Sequence, residues 1–124
     1  MSKEYKIQDT SVAFALLIIE SYRFLVDKKQ EYVLSKQLLR SWTSIGANIK
    51  EACQWSSKKD FLYKMNIALK ESHETEYRIT LLVKSKYFEQ FNRLEELVAQ
   101  SNEMSMVLTR IVKTTKKSLE ERFS

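Results

Sequence analysis

No proline occurs in the 124 residues of this chain, and its only glycine is Gly46. Proline and glycine break helices and build tight turns, so a chain almost without them is committed to long helices. A β-rich architecture needs many turn residues and is excluded on that ground. The hydrophobic share of 44% lies within the globular range, and a chain of this length buries roughly two thirds of its unfolded surface. One core and one domain, residues 1–124, are expected.

Apolar residues recur at helical spacing in four stretches. The first helix is expected over about residues 8–29, with Asp9, Thr10 or Ser11 as its cap. At about 100° per residue, Val12, Leu16, Ile19 and Val26 fall on one face. Phe14, Leu17, Ile18 and Leu25 fall on its other faces, and a helix apolar nearly all round is buried on more than one side. The second, about 35–55, carries one stripe of Leu38, Trp42, Ile45, Ile49 and Ala52. Gly46 in its middle costs about 1 kcal/mol relative to alanine, which predicts a close helix crossing beside Ala47 and Cys53.

The third helix, about 57–87, opens on Ser57 and Asp60, a variant capping box. Its core stripe reads Phe61, Met65, Ala68, Ser72, Ile79, Leu82 and Val83. A second stripe of Tyr63, Ile67, Leu81 and Phe88, with Tyr77 beside it, lies on roughly the opposite side. The fourth, about 92–119, repeats Leu94, Leu97, Ser101, Met104, Leu108, Ile111, Thr115 and Leu119, and the last five residues are expected to fray. Short connections force consecutive helices to run antiparallel, which gives an all-α, up-down-up-down four-helix bundle.

A bundle needs one apolar stripe per helix. The surplus on the first and third helices predicts a homo-oligomer joined through faces containing Phe14 and Ile18 on one and Tyr63, Ile67, Tyr77 and Leu81 on the other.

Charge points to a second kind of partner. The net charge is +5, unevenly spread: residues 89–109 hold one arginine against four acids, whereas 110–124 hold five bases against two. Lys36, Arg40, Lys50, Lys58, Lys59, Lys113, Lys116 and Lys117 are the candidates for holding the phosphate backbone of RNA or DNA, with salt-sensitive affinity. Aromatic residues are not interleaved with them as base-reading motifs require, so sequence-specific readout is not expected.

Other chemistries find little support. Cys53 has no second thiol and reads as a small core residue. The longest apolar run, Val12 to Ile19, is far below the roughly 20 residues that span a bilayer, and no secretory cleavage signal follows it; a cytoplasmic protein that does not enter the membrane is expected. Asn48 and Glu51 share one helix face, as do Glu71 and Glu74. A ferritin-like metal site needs Glu-x-x-His, but Lys70 stands three residues before the sole histidine, His73. Phosphate loops, nucleophile elbows and triad spacings are absent. No enzyme activity, cofactor, metal or small-molecule substrate is expected, and the polar pairs are expected to bond to Arg40, Arg78 or the backbone, fixing helix register or a subunit contact.

One ordered set of residues carries a resemblance: Ser35-Lys-Gln-Leu-Leu-Arg-Ser41, Thr43-Ser-Ile-Gly-Ala-Asn-Ile-Lys-Glu51, Ser57-Lys-Lys-Asp-Phe61, Ile67-Ala68 and Glu71-Ser-His-Glu74-Thr75. Over about half its length the chain resembles the four-helix-bundle proteins encoded in intervening sequences of bacterial 23S ribosomal RNA genes, with Ala52 departing from the glycine more usual there. The resemblance implies a homopentameric, barrel-like assembly without enzyme activity. It also implies likeness in fold to the accessory variability protein of diversity-generating retroelements, and hence a possible protein partner such as a reverse transcriptase. By position, the signature polar residues are Gln37, Arg40, Ser44, Asn48, Glu51, Glu71 and Glu74. Two functions follow: an oligomeric nucleic-acid-associated module, or a protein scaffold that never meets nucleic acid.

Overall fold

The computed structural model describes residues 3–54 and 57–123, and side chains for 6–54 and 57–121. Among them are four α-helices and no strand: α1 Lys3–Lys29, α2 Leu34–Cys53, α3 Lys58–Lys84 and α4 Leu94–Phe123. Consecutive helices pack on one another and α4 closes back on α1, while α1 and α3 lie diagonally apart, as do α2 and α4. The connections are short, as antiparallel neighbours require. The expected end of the second helix at Trp55 falls outside the described residues.

α2 buries the stripe that its spacing predicts, with Leu38, Ile45, Ile49 and Ala52 almost fully enclosed. α4 does the same with Leu97, Met104 and Leu108. α3 encloses Phe61, Met65, Ala68, Ser72, Ile79 and Leu82, but Val83 lies on the rim at 37% exposure. Ser72 and Ser105 share a buried hydrogen bond of 2.7 Å that ties α3 to α4.

α1 corrects the expectation. Its core face is Phe14, Leu17, Ile18 and Leu25, all buried, whereas Val12 and Leu16 are 61% and 63% exposed and Ile19 is exposed too. Phe14 decides the rotation: its ring lies 4.4 Å from that of Trp42, centroid to centroid, an aromatic contact that adds to the burial of both rings. Phe14 and Ile18, expected on an oligomer face, therefore belong to the core of one subunit. The helix also begins earlier than expected, at Lys3, so Asp9, Thr10 and Ser11 are interior residues and not caps. Thr10 donates to the Lys6 carbonyl at 2.9 Å.

Ser11 instead faces Gly46, and a Cβ placed on that glycine would meet the Ser11 Oγ at 3.5 Å. The α1–α2 crossing is thus made beside Ser11. Ala47 is exposed and takes no part in it.

Helix ends are set by side chains, since the chain has almost no glycine to set them. Glu31 reaches forward and accepts hydrogen bonds from the backbone N–H groups of Val33, Leu34 and Ser35 at 3.2, 3.0 and 2.7 Å, while the Ser35 hydroxyl donates to the Glu31 carbonyl. This reciprocal bonding supplies the donors at the start of α2 with acceptors, the work of a capping box. Ser57 caps α3 as expected, accepting from the Asp60 N–H at 3.1 Å.

α3 ends at Lys84, earlier than expected. Lys86 adopts a left-handed conformation at φ 69°, and Tyr87 and Lys86 donate to the carbonyls of Leu82 and Val83, the Schellman pattern. The turn then drives Phe88 and Phe91 inward, where they meet Phe24 of α1 at 6.5 and 5.0 Å. Phe88, expected on the outer stripe of α3, is a core residue that closes this end of the bundle. At the other terminus, helix continues to Phe123 where fraying was expected.

Burial raises the Glu31 pKa, but the three backbone donors outweigh it and hold the carboxyl below its ordinary 4.5. Such a group stabilises the fold while ionised and loses that contribution as pH falls through its lowered pKa. Glu31→Ala is therefore expected to cost about 1–2 kcal/mol at pH 7. The gap from the parent should close on acidification below 4.5, as read by chemical denaturation at several pH values.

Candidate nucleic-acid interface

Antiparallel packing brings the C-terminus of α2, the N-terminus of α3 and the C-terminus of α4 to the same end of the bundle. Lys50, Lys58, Lys59, Lys113, Lys116 and Lys117 gather there, and all but the half-buried Lys58 are exposed. Lys58 shows the convergence directly, its Nζ donating to Ser118 Oγ at 2.7 Å across 60 residues of sequence. These lysines form no ion pair among the described residues. Asp60, Glu120 and Glu121 sit among them, three acids against six bases, so the end is mixed but positive.

Lys36 and Arg40 do not join this group. They are exposed on the same outward side of α2, but Lys50 lies fourteen residues beyond Lys36, or about 21 Å along the helix. One cation that charge counting did not select, Lys6 of α1, does lie at the basic end, and Arg110, near the middle of α4, lines with it a groove of about 450 Å³ among α1, α3 and α4. Ile7, Phe61 and Met65 form its apolar floor, and Glu103 supplies its one carboxylate. The helical spacing of Lys6 from Ile7 and of Arg110 from Ile111 was the signal available for them.

The signature polar residues lie elsewhere, along the seam where α2 meets α3. Asn48 donates to the Ser44 carbonyl at 2.8 Å. Glu51 pairs with Lys64 at 2.8 Å, and that bond raises the Lys64 pKa. Arg78 reaches Ser41 across the seam and lies 3.8 Å from Glu74; Gln37 accepts from Ser41 at 3.0 Å through its carbonyl. Arg78 and Lys64 are thus the cations of the seam, and the exposed Arg40 enters no ion pair among the described residues. Both pairs are part-exposed and add little to stability.

His73 is turned away from this seam. It lines the α3–α4 groove with Glu76, Asn102 and Arg110, while Glu71 and Glu74 face α2. Among the described residues no group of three histidine, cysteine, aspartate or glutamate side chains is placed to hold a metal, and no helix is long and apolar enough to cross a membrane.

Among the described residues, α1 and α3 each leave an apolar face outside the bundle. α1 presents Val12, Leu16 and Ile19, and α3 presents Tyr63, Tyr77 and Leu81, with Ile67 half-buried at its edge. Because α1 and α3 are diagonal, these faces point to opposite sides.

Comparison with known proteins places this geometry in a family. A model of the 23S rRNA-intervening sequence proteins matches residues 3–110. The chain belongs to that family. Among solved structures, it is similar to a protein of unknown function from the S23 ribosomal protein family of Bacteroides thetaiotaomicron, at 46% identity and a TM-score of 0.83, over 90% of this chain and 99% of that one. No curated protein matches. The family match takes in the whole polar seam and ends at Arg110, so Lys113, Lys116 and Lys117 of the basic end lie past it.

Within the seam, burial followed by the neighbouring Glu74 carboxylate raises the Glu71 pKa. A raised carboxyl pKa means that ionised Glu71 opposes folding above that pKa and ceases to do so below 4.5, its ordinary value. Glu71→Gln is expected to raise the melting temperature at pH 7, and the gain should vanish as the pH is lowered towards 4. Melting curves for the two proteins at both pH values check it.

Proposed function

We propose that the chain is one subunit of a ring-shaped homo-oligomer, a homopentamer, that binds nucleic acid through its basic surfaces and catalyses no reaction. The observation that carries the nucleic-acid reading is the convergence of Lys50, Lys58, Lys59, Lys113, Lys116 and Lys117, from three helices, on one end of the bundle. Unpaired lysines on a common surface suit the phosphate backbone of RNA or of a ribonucleoprotein, and repetition around a ring multiplies them. Membership of a family named for 23S rRNA intervening sequences agrees with an RNA association.

The ring is supported by the two exposed apolar faces. A contact between the α1 face of one copy and the α3 face of the next joins unlike surfaces, and such head-to-tail contacts close into rings when the rotation permits. The second reading, a protein scaffold serving a partner such as a reverse transcriptase, draws on the same exposed apolar surface.

An electrophoretic mobility-shift titration with unstructured RNA separates the two. On a single strand, a site neutralising about three phosphates loses roughly 20-fold in affinity between about 50 and 200 mM salt. The combined Lys58→Glu, Lys113→Glu and Lys117→Glu variant should bind at least about tenfold more weakly at low salt. Absence of any shift at low salt excludes the nucleic-acid reading and leaves the scaffold.

A further inference from the structure

The outward face of α4 has a charge order of its own. Glu95, Ala99, Asn102, Glu103, Met106, Arg110, Lys113 and Lys117 are all exposed and lie within about 60° of one line along the helix. Leu97, Met104 and Leu108 occupy the buried side. Between Glu95 and Lys117 acids fill the first half of this line and bases the second, with Met106 between them at 55% exposure. Glu120 and Glu121, exposed on the same side, lie past the stretch that a pairing centred on Met106 overlaps, since α4 begins at Leu94. Glu95, Glu103, Arg110, Lys113 and Lys117 form no ion pair among the described residues.

A helix dipole favours such signs only within the first and last turns. Glu103 and Arg110 lie deep inside a helix that runs Leu94–Phe123, beyond that reach. The pattern is, however, its own complement when turned end for end. Two copies of α4 laid antiparallel about an axis at Met106 bring Glu103 opposite Arg110 and Glu95 opposite Lys117. Lys113 comes opposite Ala99, about 6 Å along the helix from either glutamate. Parallel packing would set like charge against like, which is unfavourable.

We infer that α4 is a homotypic docking surface, pairing with α4 of a second copy in antiparallel register across a two-fold axis at Met106. The contact is isologous and independent of the α1 and α3 faces, so in a ring it would join one ring to another. A single helix face is small among interfaces, and its strength rests on charges screened over about 10 Å at 0.1 M salt and about 3 Å at 1 M. The pairing is therefore weak and salt-sensitive.

The test uses a chain carrying Leu16→Asp and Tyr77→Asp, which disable the α1 and α3 faces at positions 63% and 65% exposed, with folding checked by circular dichroism. Sedimentation at low salt should find this parent in two-subunit particles. Adding Glu95→Lys and Glu103→Lys makes the face basic, and adding Arg110→Glu, Lys113→Glu and Lys117→Glu to the parent makes it acidic. Each reversed chain alone should associate more than about a hundredfold more weakly, and an equal mixture of the two should restore the pair. Met106→Cys, with Cys53→Ser, should give disulfide-linked pairs that high salt suppresses. A parent that stays single and does not cross-link overturns the inference. So do reversed chains that pair as the parent does, or a mixture that stays single.

Discussion

α1 holds more apolar surface than one bundle can cover, and the structure follows from which part is covered. Fully burying one large apolar side chain is worth about 1.5–3 kcal/mol, so Phe14, Leu17, Ile18 and Leu25 together outweigh the alternative face. That face offers three β-branched residues and a leucine, and no aromatic ring to meet Trp42. Once Phe14 packs against Trp42, the rotation of α1 is fixed. Ser11 then meets Gly46, Phe24 meets Phe88 and Phe91, and Val12, Leu16 and Ile19 turn to the outside.

The same logic explains what could be read from residues alone. α2 and α4 each carry a single apolar stripe, so their buried faces were legible without coordinates. α1 has two candidate faces at similar spacing, and periodicity cannot rank them; the aromatic partner that does is 28 residues away. The start of α2 was read to within one residue, but its cap was hidden, because it is Glu31, whose carboxylate reaches forward to three N–H groups, and not a serine or aspartate at the usual position. Phe88 followed the period of α3, but the left-handed Lys86 ends the helix before it and folds the ring inward.

The candidate site was legible in parts. The lysines at the ends of α2, α3 and α4 meet because the chain runs up and down, which short connections already require. Lys36 and Arg40 shared their helix face with Lys50, but distance along α2 separates them from the others. The signature polar residues were visible as pairs on one helix, whereas Glu51 with Lys64 and Ser41 with Arg78 depend on the register between two helices.

In the proposed ring the outer apolar faces of α1 and α3 are the two halves of one subunit contact. Sedimentation equilibrium at micromolar concentration tests it most directly, in salt high enough to screen contacts between charges. A particle of five 14.7 kDa subunits is expected for the unaltered chain and a single subunit once Leu16, 63% exposed, becomes aspartate. A single subunit from the unaltered chain would contradict it.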